Sequence, residues 1–458
     1  MIRGLLLLAG IIHFTVGYST NLTQLNRDST WFIEINSRDI GVVQTVMEFH
    51  FLDSTFTAFS RPNADRDIIG YWPSLGGRLL TSDFKNGSLL RISKGKFIQR
   101  GDTIHLAGLF ISALGHYAFR GTLSNDRLEG EWRDRRKKLR GTMIGKRQRV
   151  ELPLANYSSL FEESRSKALE KLYDPKLTEK KEWRTFEKKM QRTSLKVQDD
   201  LEMVFAFYYY ARKLPFSHFS LMKTGNQESE EEEPSRLDFD EKSAKTAYLN
   251  IRSFDGSAEE MDSILMKIIE GGYQNLIVDL RENPGGTVEA GLTFANRMVD
   301  SSYYGGVFLT RKWFEKHEQV PSQSDYTLLP EFSEANFDLI IQGIHEKEGL
   351  CLRLTPEKKT FQGNLYLLTS KRTASTCEPL VYGLKQFGRA QVVGETTAGA
   401  MLNGEIFPLS SGFSLVIPTA TYYTSDGFKI DGQGVNPNHV VKADEALNYV
   451  LNQLISNP

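Results

Sequence analysis

The carboxy-terminal half of the sequence alternates short apolar runs with segments of helical spacing, and this alternation constrains the fold more than any other feature. The run NLIVDL is typical of a buried strand, and the residues from about Val288 to Val299 have helical periodicity. The run NLYLLTS repeats the strand pattern before a second helical segment from about Cys377 to Phe387. Strands that alternate with helices predict an α/β domain with a largely parallel sheet.

The amino-terminal part of the sequence has a different periodicity. From Trp31 to about Leu152, short segments alternate apolar and polar residues between Gly, Asn and Asp turns. This pattern is typical of antiparallel strands with one buried face, so we predict a small antiparallel barrel or sandwich. Helical spacing follows, and then a run of acidic residues. We therefore divide the chain into a signal peptide (1–19), an antiparallel β domain (20–153), a helical segment (154–224), an acidic linker (225–245) and the α/β domain (246–458).

Composition and charge argue against several classes of function. The 458 residues carry 56 Lys and Arg against 57 Asp and Glu, so charge favours neither nucleic acid nor an anionic membrane as a partner. The two cysteines, Cys351 and Cys377, are too few for a disulfide scaffold. No pair of Cys or His has the spacing of zinc ligands. We therefore expect neither a metal nor an organic cofactor.

The first residues have the pattern of a targeting segment. Arg3 is followed by an apolar run from Leu5 to about Gly17, which is short for a membrane span and fits a signal peptide cleaved between Gly17 and Ser19. An uncleaved anchor is the alternative, and it would be the only contact with a membrane. We therefore expect an exported protein, periplasmic or extracellular, whose oligomeric state the sequence leaves open.

Two polar turns follow predicted strands and have residues suited to chemistry. Ser375 lies between the run NLYLLTS and a helix, where its hydroxyl can be a nucleophile or simply cap the helix. In the turn DLRENPGG, Gly285 and Gly286 permit a tight backbone with exposed N–H groups. Together with the Thr376 N–H, they suit an oxyanion hole, although such a turn is also an ordinary structural feature.

Several ordered motifs resemble the tail-specific (carboxy-terminal processing) serine protease family. They span roughly Thr246 to Ile455 and are LIVDLRENPGG, LYLLTSKRTAST, GRAQVVGETTAGA and DGQGVNPN before a final helix. The resemblance implies a ClpP/crotonase-like protease domain, Ser375 as nucleophile and polypeptide substrates. The lysine of the family's Ser/Lys pair would fall at Ala400, which cannot accept a proton. The chain therefore resembles the lysine-lacking branch, which includes tricorn-type proteases and interphotoreceptor retinoid-binding protein modules.

Tricorn-type enzymes take their base from a Ser-His pair upstream of this domain. Here LPFSHFSL contains Ser217 and His218, and the resemblance implies that His218 is the base and that Ser217 orients it. An imidazole with a pKa of about 6.5 can accept a proton at neutral pH. The supporting acid would be Asp431, where the family usually has Glu, and Glu378 is a further orienting carboxylate. The PDZ domain that many members carry would not fit between Leu221 and Lys245.

These observations predict an exported serine-type peptidase that works without a Ser/Lys dyad. The alternative is a non-enzymatic ligand- or peptide-binding protein on the same fold, because a fold does not fix a function. A Ser375 hydroxyl within hydrogen-bond reach of His218 would favour the enzyme. We expect an extended peptide to pair with the strand edge near Tyr422 and Tyr423.

Overall fold

The structure, a computed structural model, describes residues 28–37, 40–60, 89–112, 115–124, 126–134, 137–147, 155–223, 236–326, 328–332 and 336–456. The predicted signal peptide and residues 225–235 of the predicted linker lie outside the described residues. The chain divides into two compact units. One is drawn from Met1–Ile33, Val46–Pro62 and Ser82–Val150, and the other from Glu34–Thr45, Asn63–Thr81 and Glu151–Pro458.

The amino-terminal strands form an antiparallel barrel. The eight strands are β1 (Asp28–Ser37), β2 (Gly41–Leu52), β3 (Thr55–Ser60), β4 (Leu90–Arg100), β5 (Thr103–Ser112), β6 (Gly115–Ser124), β7 (Arg127–Arg133) and β8 (Leu139–Lys146). Consecutive strands pair from β2 to β8, and β1 pairs with both β8 and β2, which closes the ring. Trp31, Phe49 and Phe56 are buried and in ring contact, as the alternating pattern of apolar residues requires.

The segment with helical spacing forms three helices. They are α1 (Tyr157–Lys171), α2 (Lys181–Ser194) and α3 (Asp200–Ala211), followed by the short strand β9 (Ser220–Lys223). Phe186 of α2 lies between Phe207 of α3 and Phe219, with ring centroids 5.3 and 5.7 Å away. Because Phe219 directly follows His218, this aromatic cluster fixes the position of the chain next to the candidate base.

The predicted parallel sheet has helices on both faces. Its order is β10 (Leu237–Ser243), β11 (Thr246–Ile251), β12 (Asn275–Asp279), β16 (Asn364–Thr369), β17 (Ala390–Gly394) and β20 (His439–Val440), with only the β10–β11 pair antiparallel. Helices α4 (Ala258–Glu270), α5 (Val288–Met298) and α9 (Cys377–Gln386) contribute to the core on one face. The last helix, α10 (Ala446–Tyr449), and the π turn Val450–Ile455 pack on the other. The predicted fold class, an α/β domain with a helical segment and a preceding β barrel, is confirmed.

Residues 237–243, which we predict as part of a flexible linker, are instead an edge strand. The charged residues at 238, 240, 241 and 242 led to the linker prediction. Leu237 and Phe239 alternate with them and pack against the core, so the segment gains enough apolar contact to form β10. The linker prediction is therefore wrong for these residues.

A second sheet of the same unit contains β9, β13 (Tyr303–Thr310), β14 (Glu331–Phe332), β15 (Gly349–Leu354), β18 (Leu402–Pro408) and β19 (Phe413–Thr424). Three helices, α6 (Arg311–Lys316), α7 (Gln323–Tyr326) and α8 (Phe337–Glu346), lie between its strands in the chain. Tyr422 and Tyr423 pair with Phe308 and Val307 of β13, and Tyr422 is fully buried. At these tyrosines, where we expect a peptide to pair, β13 therefore occupies one edge of β19. No helix within the described ranges has the length and hydropathy of a membrane span.

Candidate active site

Ser375 lies in the turn that joins β16 to α9, at the carboxyl end of a parallel strand. Its φ is 54°, in the left-handed region that a residue with a side chain rarely adopts. The side chain is partly exposed. A strained strand-to-helix turn of this kind presents a hydroxyl at the sheet edge, which is how some serine hydrolases position their nucleophile.

The turn is held from two sides by hydrogen bonds. Thr373 Oγ1 donates to the Leu280 carbonyl (2.8 Å), and the Ala374 N–H donates to the Asn283 carbonyl (3.1 Å). On the other side, the Ala398 N–H donates to the Thr373 carbonyl (2.9 Å). The conformation of Ser375 is therefore determined jointly by the residue 280–286 turn and by the loop 397–401, which we call the bridging loop.

Glu378 connects the bridging loop to Ser375 through hydrogen bonds. Its carboxylate is fully buried and accepts four hydrogen bonds, from Thr397 Oγ1 (2.6 Å) and from the N–H groups of Gly399 (2.7 Å), Ala400 (2.8 Å) and Ser375 (3.1 Å). Burial raises the pKa of the Glu378 carboxyl, and these hydrogen bonds oppose the shift. The sequence suggested that Glu378 orients the histidine. In the structure, its carboxylate instead accepts hydrogen bonds from the bridging loop and from the Ser375 N–H.

Ser217, His218 and Asp431 form a hydrogen-bonded relay, although more than two hundred residues separate the pair from the acid. The Ser217 hydroxyl donates to Asp431 Oδ1 (2.6 Å), and its oxygen lies 2.7 Å from His218 Nδ1. Because the Ser217 hydroxyl proton points to Asp431, the Ser217 oxygen accepts from His218 Nδ1–H, and Nε2 keeps its lone pair. Burial lowers the pKa of His218, and the charge of Asp431 opposes the shift. The imidazole is therefore neutral at physiological pH and can accept a proton.

A single peptide group connects this relay to the turn of Ser375. The carbonyl of Ala400 accepts from the Ser375 N–H, and the next N–H, of Met401, donates to Asp431 Oδ1, each at 3.2 Å. Within the described residues no hydrogen bond joins the Ser375 hydroxyl directly to His218. The Ser375 backbone and the Asp431 carboxylate thus bind opposite ends of the same peptide group.

The candidate oxyanion donors differ in their availability. Gly285 has a φ of 108°, and a Cβ atom there would lie 2.6 Å from the Ser375 Cβ atom, so only glycine fits beside the nucleophile. Its N–H, however, donates to Asn283 Oδ1 (2.8 Å). The N–H groups of Gly286 and Thr376 have no acceptor among the residues that the structure describes. These two donors, at the Gly-Gly turn and at the start of α9, are the ones open to a ligand.

Sequence reasoning missed three contributors to the site. Asn283 is fully buried, and its Nδ2 has no partner in the described part of the chain. An Asn in a Pro-Gly turn often bonds its own backbone two residues on, so this residue was open to prediction. Thr397 and the Ala400–Met401 peptide gave no comparable signal, because their role depends on contacts with residues remote in sequence.

The two cysteines are not competing candidates for the nucleophile. Cys351 and Cys377 are free and buried, and burial raises the pKa of each thiol, to about 11 for Cys351. A buried thiol with a raised pKa is a poor nucleophile. Among the side chains that the structure describes, no group of three His, Cys, Asp or Glu could hold a metal ion.

Comparison with known proteins finds a family similarity for the part of the chain that contains Ser375 and Asp431. A sequence model of peptidase family S41 matches residues 245–441. A carboxyl-terminal-processing protease of Picosynechococcus sp. is 27% identical over 214 residues, which cover 46% of this chain and 43% of that protein. A protease of the same name from Synechocystis sp. is 26% identical over 209 residues, covering 45% and 40%. The chain thus spans less than half the length of these curated relatives. Among solved structures, a lipoprotein from Streptococcus agalactiae covers 68% of this chain and 100% of its own, with 14% identity and a TM-score of 0.46.

Proposed function

We propose that this chain is a serine peptidase with Ser375 as nucleophile and His218 as general base, because residues 245–441 match a sequence model of peptidase family S41. The observation that carries this assignment is the relay Asp431–Ser217–His218, which shares the Ala400–Met401 peptide group with the turn of Ser375. Its substrates would be polypeptides, because the similar cyanobacterial proteins are carboxyl-terminal-processing proteases.

In the proposed reaction, the Ser375 Oγ atom attacks the carbonyl carbon of a peptide bond. The Oγ–H bond breaks, and its proton passes to His218 Nε2. The Ser217 oxygen accepts from the imidazolium Nδ1–H, and the charge of Asp431 stabilises the cation through the Ser217 hydroxyl. The N–H groups of Thr376 and Gly286 would stabilise the developing oxyanion.

The second half of the reaction uses the same groups in reverse. His218 delivers its proton to the leaving amine as the C–N bond breaks, which leaves an ester on Ser375. A water molecule, deprotonated by His218, then attacks that ester, and the carboxylic acid product leaves with the serine hydroxyl restored. No proton acceptor is needed at Ala400, because the imidazole performs both transfers.

The absence of a hydrogen bond between the Ser375 hydroxyl and His218 in the described residues leaves a non-enzymatic binding protein as the alternative function. Catalytic hydrogen bonds are often long without substrate and tighten in the complex, so the proposed reaction requires the two side chains to meet when substrate binds. If the two side chains never meet, the chain is a ligand- or peptide-binding protein on a protease fold.

A fluorophosphonate probe separates these outcomes, because it labels only an activated serine. We expect the wild type to be labelled, and Ser375→Ala and His218→Ala to lose the label. Ser411→Ala is the matched control, because Ser411 also has a positive φ, of 57°, but lies in an exposed turn outside the site. Equal labelling of all four proteins would contradict the assignment of the nucleophile. Absence of labelling throughout would support the binding protein.

We also propose that the protein is exported, with residues 1–19 removed. The support is the apolar run from Leu5 to about Gly17 behind Arg3. Amino-terminal sequencing of the mature protein should find a start at Thr20 or within the two residues before it. A mature chain that begins at Met1 and sediments with membranes would support the anchor instead.

A further inference from the structure

Strand β18 is an edge strand beside the candidate active site. It pairs antiparallel with β19 from Leu402 to Pro408, and no other strand of the described chain pairs with its second edge. An unpaired edge exposes a row of N–H and C=O groups that can bind an extended chain.

The register with β19 identifies which groups of β18 face outward. The Pro418 carbonyl accepts from the Tyr173 N–H (3.0 Å), so the main chain of Pro418 faces away from β18. Successive residues of a strand point their polar groups to opposite edges, so Ile417 faces its partner Glu405. The neighbours of Glu405 must then face the other way. The N–H and C=O groups of Gly404 and Ile406 therefore lie on the open edge.

This edge begins at the site itself. Ala400 and Met401, which contact the Ser375 turn and Asp431, immediately precede β18. A Cβ atom on Gly404 would lie 3.1 Å from His218 Cδ2, so the imidazole is packed against the strand at that residue. A chain bound along the open edge would pass beside His218 and lead toward Ser375.

The edge lacks the charges that usually prevent strand addition. Glu405, the one charged residue of β18, is engaged by His345 (2.7 Å) and Thr419. Ile406 leaves 65% of its surface exposed. Natural edge strands are usually blocked by a lysine, a proline or a bulge that turns them away. In β18 a proline occurs only at the far end, Pro408, and the bulge lies near the site, between Asn403 and Gly404.

We propose that an extended segment of the substrate polypeptide binds as an added strand on β18, through the main-chain groups of Gly404 and Ile406. The inference rests on the proposed peptidase function and names the substrate-binding edge of that site. It differs from the edge expected at Tyr422 and Tyr423, where β13 occupies one side of β19.

The test measures how well peptides protect Ser375 from the fluorophosphonate probe. A pool of decapeptides of mixed sequence is added, and each variant's labelling rate without peptide is its own reference. Ile406→Pro removes the outward N–H, which an edge strand tolerates, and Ile406→Ala keeps it. We expect the pool to protect Ser375 equally in the wild type and in Ile406→Ala. In Ile406→Pro the protection should be at least about fivefold weaker, because one main-chain hydrogen bond to the peptide is lost.

A second measurement needs no variant and therefore does not depend on folding. The peptide that protects best is N-methylated at alternate residues, in two series offset by one position. Because a paired strand uses every second N–H, one series should lose protection and the other should keep it. Three outcomes would overturn the edge assignment while Ser375 is still labelled. They are equal effects of the two methylated series, equal protection of Ile406→Pro and the wild type, and no protection of the wild type by the peptides. Failure to label the wild type overturns the proposed function itself, and the edge proposal with it.

Discussion

Glu378→Gln tests whether the buried carboxylate holds the nucleophile in place. All four groups that contact the carboxylate donate hydrogen bonds, from Thr397, Gly399, Ala400 and Ser375. An amide has an acceptor on one side only, so its NH₂ group must face two of these donors. The Thr397 hydroxyl can turn to accept, but at least one buried N–H then loses its partner.

The magnitude follows from this count of partners. One buried N–H without an acceptor costs about 1–3 kcal/mol, and the remaining hydrogen bonds lose their charge assistance. The substitution also removes the penalty of burying a charge, which is what raises the pKa of Glu378. These effects oppose each other, so we expect a net loss of about 2 kcal/mol in the free energy of unfolding. Because the Ser375 turn shifts with the loop, the labelling rate should fall by at least about tenfold.

Chemical denaturation and the rate of fluorophosphonate labelling are measured on the same preparations. Glu270→Gln is the control, because Glu270 is 59% exposed and forms only a surface ion pair with Lys359 (3.0 Å). Its loss should change stability by less than about 1 kcal/mol and leave labelling unaltered. If Glu378→Gln behaves like this control in both assays, the carboxylate does not position Ser375, and the reasoning is refuted.

Three further predictions concern the groups around the nucleophile. Gly285→Ala should abolish labelling, because its Cβ atom would lie 2.6 Å from the Ser375 Cβ atom at a φ of 108°; a labelled, folded variant would contradict this geometry. Asp431→Asn removes the charge that raises the pKa of His218, while burial keeps lowering it. Since the neutral imidazole is active above its pKa, the acid limb of the labelling-rate profile should move to lower pH, and an upward shift would count against the relay. Glu378→Gln and Asp431→Asn should be non-additive in labelling by at least about 0.5 kcal/mol, measured by a double-mutant cycle, because both act on the bridging loop.

Much of the fold could be predicted because its signals are local. The alternation of buried strands and helical segments lies within short windows, and Ser257 marks the start of α4 by accepting the Glu260 N–H (3.2 Å). Strand β10 was not predicted because it has more charged residues than apolar ones, which are Leu237 and Phe239. The burial of those two side chains depends on the neighbouring strand and helix, which a local pattern does not contain.

The site was predictable only in part for a related reason. Ser375 and the Gly-Gly turn are set by local geometry, and the resemblance to a family indicated the other members. The sequence indicated that Glu378 orients the imidazole, because nothing in the sequence shows that the bridging loop lies against its carboxylate. Two of the three hydrogen bonds from that loop to the carboxylate come from backbone N–H groups, which carry no residue signature.

The bridging loop offers a physical reason why the site can work without a basic side chain at position 400. The Ala400 carbonyl and the Met401 N–H belong to one rigid, planar peptide, so the distance between the Ser375 N–H and Asp431 cannot change much without breaking a hydrogen bond. Glu378 fixes the same peptide from the Ala400 N–H. In the proposed reaction, this peptide connects the turn of Ser375 to His218 through the side chains of Asp431 and Ser217, so the proton acceptor need not be on the loop.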